Sequence, residues 1–547
     1  MNEKILTGEQ AIAHGALEAH VRVVTGYPGS PGTKILSSIV ELSRNDPERH
    51  IEWSGNEKVA FEIALGTSLG GDRAMVVLKS VGMNIAVDPI MTANLTGING
   101  GLVIMLGDDP GARLSQNEQD TRGLVDFMEL PVIEPSSPQE GKDMIAAAFH
   151  LSEEFQTVVV VREIRSFSTL EGPVQLADDL VGARHALPVQ KSKGFVREKG
   201  RWISTTFNVI ENHRKLHDKL EQIGRRFESS PFNKIVNADG QEHIIAAGFA
   251  YTKLVDALSG KLDGFAVLKL GTINPLPKDM IADFLRKAKS VLVLEDNEPY
   301  VENKIKAIAY DAGLSVKIHG KLTGHVPREG ELSNQSISCI LNPESSILHP
   351  ASSTQPLETQ KTFCEGCPYT PTFHALSQVI EELGEQPVII AEPGCGVKLN
   401  APPFEMLDVK YSMGSAIGIA SGLVRARAKI KPIAVCGDSS FFHTGINGLI
   451  NVVGNRVNIF IMVLDNSVTA LTGCQPHPGT GWDTLGQKTE GVDIAEIARA
   501  CHVPSVAVVD PDDPETMKLA FRKGLASDEL SLVVVRKPCP LAIRRGG

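Results

Sequence analysis

Two polar residues suited to magnesium follow two apolar segments towards the C-terminus. Gly437 and Asp438 come directly after the segment 432–436 (PIAVC), and Asn466 follows the segment 459–465 (IFIMVLD). Two apolar runs separated by a helix-like stretch form the pattern of a βαβ unit. Because parallel strands end at the same edge of a sheet, we expect the carboxylate and the amide to meet there. Hard oxygen ligands suit Mg²⁺, which favours sites completed by phosphate groups.

Four cysteines form a second set of candidate ligands. Cys364 and Cys367 form a Cys-x-x-Cys pair, Cys395 follows in a glycine-rich segment, and Cys539 lies near the C-terminus. A lone Cys-x-x-Cys pair occurs in zinc sites, thiol redox sites and iron–sulfur sites. Iron–sulfur clusters take four thiolates, which can be far apart in sequence. Eight cysteines in 547 residues do not indicate a disulfide scaffold, and clustered cysteines in a reducing compartment favour metal or redox roles.

Alternating strand-like and helix-like segments must position these residues. The predicted strands before the Cys-x-x-Cys pair are 21–25, 74–78, 102–106, 157–161, 243–247, 264–270 and 290–294. Strands that alternate with helices predict mainly parallel, doubly wound α/β sheets. Residues 211–226 have the amphipathic pattern of an exposed helix, for which a docking face for a partner is one use.

The overall composition is that of a mixed globular protein. Its 547 residues suggest about three or four domains. A net charge of −11 and a pI near 5.8 give no general electrostatic reason to bind nucleic acid. No apolar run reaches the ~18 residues of a membrane span, and the N-terminus lacks the apolar core of a signal peptide. We therefore expect a cytoplasmic protein that binds neither nucleic acid nor membranes.

The residues around Asp438 and Asn466 resemble a known cofactor motif. A Gly-Asp pair followed 28 positions later by Asn resembles the diphosphate-binding motif of thiamine-diphosphate enzymes. The flanking words 441–445 (FFHTG) and 465–473 (DNSVTALTG) resemble the large subunits of indolepyruvate:ferredoxin oxidoreductases, in the 2-oxoacid:ferredoxin oxidoreductase superfamily. The alternative is that Gly-Asp and Asp-Asn are ordinary turn residues after strands.

This resemblance implies a set of ligands. Asp438, Asn466 and the Val468 carbonyl would hold Mg²⁺. The cofactor contacts that it implies in this part of the chain are Gly437, Asp438, Ser439, Asn466, Val468, Leu471 and Thr472. His443 is either a proton donor at the active site or a hydrogen-bonded core histidine.

The N-terminal part resembles the pyrimidine-binding domain of the same family. The matching words are 27–31 (YPGSP), 56–60 (NEKVA), 79–84 (KSVGMN), 108–110 (DDP) and 115–122 (SQNEQDTR). The resemblance implies that Tyr27 and Pro28 contact the cofactor and that Glu57 hydrogen-bonds to N1′ of its pyrimidine ring, as positioned acid–base help. The alternative for Glu57 is an exposed glutamate stabilised by the dipole of its helix.

Three further residues are substrate candidates. Ser30 stands where the family's pyruvate enzymes carry a hydroxyl that meets the substrate carboxylate, or it is the N-cap of the following helix. Arg113 and Gln116 lie in a polar, glycine-rich loop, which suits either substrate contacts or a solvated surface.

The four cysteines resemble the proximal [4Fe–4S] ligands of the superfamily, which implies one cluster near thiamine. A structural zinc site or free thiols are the alternatives. Large subunits of the family usually continue into a ferredoxin-like domain with two cysteine-rich runs, which this sequence lacks. We therefore expect electrons to pass to an external acceptor or to a partner that carries more clusters. Tyr369 and Cys474 stand where the family words have His, which leaves the choice of substrate open.

The substrate prediction rests on apolar residues beside the cofactor motif. Phe441, Phe442 and Leu471 favour a bulky apolar 2-oxoacid, an arylpyruvate such as indolepyruvate or phenylpyruvate. The pyruvate enzymes of the superfamily carry a polar residue at the position of Leu471. The alternative is that Phe441 and Phe442 only pack their helix.

The resemblance covers nearly the whole chain and implies two doubly wound thiamine-diphosphate-type α/β domains with a smaller transketolase-C-terminal-like α/β domain. The predicted divisions are a pyrimidine-binding domain at 1–175, a linker with a helix at 176–237, the smaller domain at 238–345, a linker at 346–361, and a diphosphate-binding domain with the cluster cysteines at 362–547.

The activity that follows is oxidative decarboxylation of a 2-oxoacid to acyl-CoA, with coenzyme A as co-substrate. Electrons would pass through the cluster to ferredoxin or a partner subunit. We expect a small subunit as partner, in a hetero-oligomer that contains a dimer of this chain. The alternatives are a non-oxidative thiamine-dependent decarboxylase and an inactive subunit of a larger complex. Intact Glu57, Asp438 and Asn466 argue against the inactive subunit.

Overall fold

A computed structural model describes residues 2–44, 46–177, 195, 201–202, 208–341, 363–410, 412–425 and 431–543. The chain forms two compact units. The first comprises Met1–Ile51 and Glu57–Leu357, and the second comprises Glu52–Asn56 and Glu358–Gly547. The predicted linker at 346–361 lies outside the described residues, as does much of the predicted linker at 176–237.

The N-terminal part of the chain alternates strands and helices. Its strands are β1 (Asn2–Thr7), β2 (Val23–Gly26), β3 (His50–Trp53), β4 (Ala74–Lys79), β5 (Leu102–Asp108), β6 (Val132–Ile133), β7 (Val159–Ile164), β8 (Glu171–Leu176), β9 (Lys234–Val236), β10 (Glu242–Ala247), β11 (Phe265–Leu270), β12 (Thr272–Asn274), β13 (Ser290–Leu294) and β14 (Lys317–His319). Its helices are α1 (Gly8–Glu18), α2 (Gly32–Leu42), α3 (Glu57–Leu69), α4 (Ser80–Ile85), α5 (Val87–Thr96), α6 (Thr121–Phe127), α7 (Pro138–Phe155), α8 (Arg165–Ser168), α9 (Val209–Phe227), α10 (Ala250–Ala257), α11 (Lys278–Arg286), α12 (Tyr300–Asp311) and α13 (Asn334–Leu341), with a 3₁₀ turn at Pro110–Ala112.

A seven-stranded sheet forms the core of the N-terminal region. Its order is β12-β6-β7-β5-β4-β2-β3, and the pairs from β6 through β2 are parallel. Every residue of β5 is buried, as expected for a strand covered by helices on both faces. Strand β12 comes from the segment predicted to belong to the smaller domain and pairs antiparallel with β6. It covers the edge of β6, whose backbone groups would otherwise need other partners.

A five-stranded sheet forms the smaller α/β region, in the order β14-β13-β10-β11-β9. Strands β10, β11, β13 and β14 pair in parallel, and β9 is antiparallel to β11. This sheet begins at Lys234, a few residues before the predicted boundary at 238. A separate pair, β1 with β8, is antiparallel.

The second unit contains a six-stranded sheet. Its strands are β15 (Ile389–Ala391), β16 (Val409–Lys410), β17 (Ile433–Gly437), β18 (Phe460–Asp465), β19 (Ser505–Val509) and β20 (Ser531–Arg536). Its helices are α14 (Tyr369–Leu383), α15 (Ala416–Arg425), α16 (Asp438–Ser440), α17 (Ile446–Gly454), α18 (Ile494–Ala500), α19 (Pro514–Ala526) and α20 (Pro540–Ile543), with a 3₁₀ helix at Cys395–Asn400 and a π-helical turn at Phe441–Gly445.

This sheet is covered on both faces. Its order is β16-β15-β17-β18-β20-β19, and each pair is parallel. Along β17, Ala434 and Cys436 pack into one hydrophobic cluster, whereas Ile433 and Val435 pack into another. Successive side chains of a strand point to opposite faces, so a continuous apolar run serves two layers of helices. The prediction of a doubly wound α/β fold is confirmed. No helix of the described residues is long and apolar enough to cross a membrane.

Candidate active site

Asp438 and Asn466 meet at the ends of two neighbouring strands. Gly437 of β17 pairs with Leu464 of β18, so the residues after the two strands lie at one edge of the sheet. Oδ2 of Asp438 accepts a hydrogen bond from the backbone N–H of Asn466 at 3.0 Å, and Oδ1 accepts one from Ser439 at 2.8 Å. Only 2% of Asp438 and 6% of Asn466 are exposed. The structure therefore brings together a buried carboxylate and a buried amide, a donor set suited to Mg²⁺.

The loop after Asn466 folds back on itself. The Val468 N–H donates to Oδ1 of Asn466 at 3.2 Å, and Thr469 N–H donates to the Gln475 carbonyl at 2.9 Å. The Thr472 hydroxyl bonds to Oε1 of Gln475 at 2.5 Å. These bonds hold the Val468 and Thr472 backbone in a compact loop beside the strand ends.

The apolar residues of the motif have different environments. Phe441 is fully buried in a core cluster, as in the alternative interpretation, while Phe442 packs partly against the same cluster. Leu471 is 65% exposed. The structure therefore does not bring Leu471 and Phe441 into one apolar pocket within this unit.

His477 is a residue of this site that the sequence analysis missed. Its Nε2 lies 3.0 Å from Oδ2 of Asp438, and its Nδ1 accepts a hydrogen bond from the Gly479 N–H at 3.1 Å. Because Nδ1 is an acceptor, Nε2 carries the hydrogen and donates it to Asp438. The Phe442 ring lies 5.4 Å from the imidazole, at 33° to its plane. A histidine between two prolines close behind the motif was the available signal in the sequence.

Replacement of His477 with alanine should weaken Mg²⁺-dependent binding of thiamine diphosphate by about 10- to 100-fold, because partners that orient a metal ligand typically contribute that much. Isothermal titration of the cofactor at several Mg²⁺ concentrations measures the change. His477→Gln keeps an N–H donor and should lose less. His150→Ala, on the exposed surface of α7, is the control. Equal affinity in His477→Ala and wild type would contradict this role.

His443 lies in the π-helical turn and is only 4% exposed. Its Nδ1 lies 3.2 Å from the Thr444 hydroxyl. A second buried carboxyl lies nearby, since Glu392 accepts hydrogen bonds from the Ser440 hydroxyl and from Ala416 N–H. Burial raises the pKa of Glu392, and the hydrogen bond from Ser440 opposes that rise. Glu392 is another group that the sequence analysis did not select.

The four predicted cluster cysteines occupy three separate turns of the second unit. Cys364 and Cys367 precede α14, Cys395 opens the 3₁₀ helix Cys395–Asn400, and Cys539 precedes α20. Burial raises the pKa of the Cys395 thiol to about 12, and the other three cysteines add to the rise. The four thiols therefore lie close enough for the charge of the other three to affect the pKa of Cys395.

Zinc sites and four-iron clusters differ in the distances between their cysteine sulfur atoms. No three of the four sulfur atoms lie within 4.8 Å of one another in the part of the chain that the structure describes. The sulfurs of a tetrahedral zinc site lie about 3.8 Å apart, given Zn–S bonds of about 2.3 Å. A four-iron cluster holds its thiolates on separate iron atoms, farther apart than the sulfurs of a single-zinc site. Nζ of Lys398 lies 4.0 Å from Sγ of Cys364. Its charge opposes the rise in the pKa of the Cys395 thiol.

Two contacts connect the cysteines with the magnesium candidates. The backbone N–H of Cys539 donates to the Asn466 carbonyl at 3.0 Å. The hydroxyl of Tyr369, two residues after Cys367, donates to the Leu464 carbonyl at 3.3 Å. Burial raises the pKa of this phenol well above its ordinary value, and the Asn466 side chain hydrogen-bonds to it. Tyr369 thus lies between the two sets of candidate ligands.

Glu57 is the first residue of α3 in the N-terminal sheet region. Only 7% of it is exposed, so the alternative of an exposed glutamate is wrong. Gly82 in α4 leaves room for its carboxylate, because a Cβ at Gly82 would lie 2.6 Å from both Cγ and Oε1 of Glu57. Tyr27 and Pro28 are buried directly after β2.

The substrate candidates of the first unit lie in loops. The N-cap position of α2 is Pro31, without a side-chain cap, so the alternative of Ser30 as an N-cap is wrong. Arg113 and Gln116 are both exposed, and Arg113 lies 3.5 Å from the Glu331 carboxylate. Arg113 also lines a cavity of about 280 Å³ with Lys253.

Comparison with protein families gives two matches. Residues 14–194 match the family described as "Pyruvate flavodoxin/ferredoxin oxidoreductase, thiamine diP-bdg". Residues 398–535 match "Thiamine pyrophosphate enzyme, C-terminal TPP binding domain". The second match contains the ends of β17 and β18, where Asp438 and Asn466 lie.

Comparison with individual proteins gives relatives that match nearly the whole of this chain. Indolepyruvate oxidoreductase subunit IorA from Archaeoglobus fulgidus is 36% identical, covering 98% of this chain and 87% of the relative. The subunit of the same name from Pyrococcus abyssi is 37% identical, covering 99% of this chain and 87% of the relative. A solved structure of 2-oxoglutarate:ferredoxin oxidoreductase from Magnetococcus marinus has a TM-score of 0.50 at 13% identity, covering 62% of this chain and 65% of that chain, which shows a shared fold.

Proposed function

The chain belongs to the family of indolepyruvate oxidoreductase subunit IorA, and from that membership we propose that it is the thiamine-diphosphate-dependent subunit of a 2-oxoacid oxidoreductase. The observation that carries the proposal is the buried pair of Asp438 and Asn466 at adjacent parallel strand ends. Ligands of α/β sheets bind at this edge of the sheet. Oxygen ligands there suit the Mg²⁺ that accompanies a diphosphate.

The second unit provides the residues for the diphosphate end of the cofactor. The Asp438 carboxylate, the Asn466 amide oxygen and the Val468 carbonyl are proposed to hold Mg²⁺. His477 orients Asp438 by donating to Oδ2. The remaining cofactor contacts that we propose are Gly437, Ser439, Leu471 and Thr472. When bound, thiamine diphosphate supplies the nucleophilic carbon and the electron sink that decarboxylation of a 2-oxoacid requires.

The first unit provides the acid–base residue. Glu57 is proposed to hydrogen-bond to N1′ of the pyrimidine ring, and its carboxylate is buried in the space that Gly82 leaves open. A buried carboxylate at a fixed position is what proton transfer at a ring nitrogen requires. Tyr27 and Pro28 are proposed to contact the cofactor, Ser30 the substrate carboxylate, and His443 is the proposed proton donor.

The four cysteines are proposed to bind one [4Fe–4S] cluster. When bound, the cluster accepts single electrons, which we propose pass to ferredoxin or to a partner subunit. Nζ of Lys398 lies 4.0 Å from Sγ of Cys364, and its charge favours the thiolate form that metal binding requires. Thiols with a raised pKa must release their protons when they become ligands.

Anaerobically purified protein should contain about four iron atoms and four sulfides per chain, because one [4Fe–4S] cluster contains four of each. Cys539→Ser should lose most of that iron and the associated visible absorption. Cys339→Ser, at a half-buried position of α13, should retain both. Stoichiometric zinc without iron in the wild-type protein would contradict the cluster and support the non-oxidative decarboxylase.

We propose an arylpyruvate such as indolepyruvate or phenylpyruvate as substrate and coenzyme A as the acyl acceptor. The relatives that match nearly the whole chain are indolepyruvate oxidoreductase subunits, which supports the arylpyruvate. Leu471 also supports it, because an exposed apolar side chain next to the proposed cofactor contacts can cover an aromatic ring but cannot hydrogen-bond to a small polar substrate. A small partner subunit is proposed to complete the enzyme, in a hetero-oligomer that contains a dimer of this chain.

The enzyme assembled with its partner should have a kcat/KM for phenylpyruvate that exceeds that for pyruvate and for 2-oxoglutarate by about 10- to 150-fold, the value of burying one apolar group. Anaerobic reduction of ferredoxin with coenzyme A present measures it. Leu471→Thr should lower the ratio of kcat/KM for phenylpyruvate to that for pyruvate. Leu485→Thr, at another exposed leucine, should leave this ratio unchanged. A preference for pyruvate would refute the substrate assignment, and an aldehyde product without reduction of the acceptor would favour the non-oxidative alternative.

A further inference from the structure

Three ligand-type side chains converge at a place that has no part in the proposed chemistry. His213 and His217 are four residues apart on α9, so both lie on one face of the helix. Glu129 follows α6 in the N-terminal sheet region. Among the described residues this is the only group of three or more His, Cys, Asp or Glu side chains whose ligand atoms all lie within 4.8 Å of one another.

The two imidazoles share one carboxylate. Nε2 of His213 lies 2.7 Å from Oε2 of Glu129, and Nε2 of His217 lies 2.7 Å from Oε1. The two rings are 4.3 Å apart, at an angle of 49°. The backbone of Glu129 is held in place, because Nδ2 of the buried Asn94 donates to the Glu129 carbonyl at 2.9 Å and to the Met128 carbonyl at 3.0 Å. A fixed loop thus presents the carboxylate, and a helix presents both nitrogens.

We propose that Glu129, His213 and His217 form a binding site for a divalent transition-metal ion, with Zn²⁺ as the representative. Imidazole nitrogens with one carboxylate oxygen are ligands that suit zinc and its neighbours, whereas Mg²⁺ and Ca²⁺ prefer oxygen. An ion between the three atoms replaces the hydrogens that the two Nε2 atoms share with Glu129. A water molecule completes a tetrahedral site.

The required adjustment is small. Ligand atoms at about 2.1 Å from a tetrahedral ion lie about 3.4 Å apart. The three atoms lie within 4.8 Å of one another, so no pair needs to close by more than about 1.4 Å. A nitrogen–oxygen contact of 2.7 Å opens by about 0.7 Å. The imidazoles are 45% and 55% exposed, which leaves their rotamers free to make that movement.

The site connects α9 with the loop after α6. The buried residues of α9 are Leu216, Ile223 and Phe227, all in its middle and C-terminal part. The contacts of His213 and His217 with Glu129 connect the N-terminal half of α9 to this loop. Metal binding should order this part of the helix, a role separate from thiamine binding and from the proposed 2-oxoacid chemistry.

The test counts metal sites in the purified full chain. Equilibrium dialysis against Zn²⁺ should show one equivalent fewer in the double variant His213→Ala/His217→Ala than in wild type. Zinc bound by the cysteines is common to both proteins, so it cancels when the two stoichiometries are subtracted. His150→Ala, at an exposed position of α7 in the same unit, should keep the full number. Equal stoichiometry in wild type and the double variant would overturn the proposal.

Two further measurements keep the result independent of folding. Glu129→Gln retains the shape of the side chain but removes its charge. It should weaken Zn²⁺ binding at this site by more than about tenfold, since even an indirect partner contributes that much. In wild type, Zn²⁺ should slow hydrogen exchange at residues 209–217, and a chelator should reverse the effect. Exchange in this segment that does not respond to Zn²⁺ in wild type would refute the site.

Discussion

Replacement of Glu57 with glutamine should leave the fold and cofactor binding intact and lower turnover by about 100-fold or more, the usual contribution of a positioned acid or base. Glutamine has the same shape, so it fits the space beside Gly82 that the carboxylate occupies. A neutral amide does not hold a proton at N1′ as a carboxylate does. The measurements are anaerobic kcat and the exchange rate of the C2 proton of bound thiamine diphosphate.

Two companion variants separate chemistry from packing. Glu62→Gln changes an exposed glutamate of the same helix, paired with Lys58, and should have wild-type turnover. Gly82→Ala should lower turnover with the fold retained, because its Cβ would lie 2.6 Å from the Glu57 carboxylate and must displace it. Wild-type C2 exchange in Glu57→Gln would show that another group assists the cofactor.

Replacement of Asp438 with alanine should abolish binding of thiamine diphosphate and Mg²⁺ at concentrations that saturate the wild-type protein. The change removes a ligand to the dication and leaves the charge of the diphosphate uncompensated. It also removes the acceptor of three N–H donors, those of Ser439, Asn466 and His477. Buried donors that lose their partner also destabilise the arrangement of the strand ends on which the proposed site depends.

Isothermal titration with thiamine diphosphate and Mg²⁺ measures this loss. Asp528→Ala, at an exposed aspartate after α19, is the matched control and should bind as wild type does. Circular dichroism of Asp438→Ala should show that the α/β fold persists, because the hydrophobic clusters on both faces of the sheet do not include this residue. Wild-type affinity in the variant would refute the proposed cofactor site, independently of the substrate.

The test of metal binding at Glu129 is independent of the predictions for Glu57 and Asp438. Loss of Zn²⁺ binding in the double histidine variant would leave thiamine binding and turnover unchanged if the two sites act separately. Conversely, a failed test of Asp438 would leave the metal count at Glu129 unaffected. The two conclusions therefore rest on different residues and different measurements.

The sequence alone determined the α/β class and the meeting of Asp438 with Asn466 at one edge of a sheet. Apolar runs at 432–436 and 459–465 became the parallel strands β17 and β18, and the residues after them meet because parallel strands end at one edge. These signals are local, and the topology that follows from them needs no detail of packing. The roles of the predicted site residues stay predictions, which the variants above test.

Only the tertiary structure showed which distant residues support the pair. His477 lies 39 positions after Asp438 in a loop, where no periodic pattern indicates a partner. Similarly, the space that Gly82 leaves for Glu57 depends on how α3 and α4 pack. The addition of β12 to the seven-stranded sheet also joined segments that the sequence pattern assigned to separate domains.

The contact of Glu129 with two histidines more than 80 positions later likewise follows from helix docking, not from spacing. Hydrophobic periodicity identifies an element and its buried face, because the pattern repeats within the element itself. It does not identify the partner of a polar side chain, because that partner depends on which elements pack together and at what angle. For that reason the strands that carry Asp438 and Asn466, and the ends of those strands, could be predicted from the sequence. The hydrogen bonds that orient these residues could be found only in the folded chain.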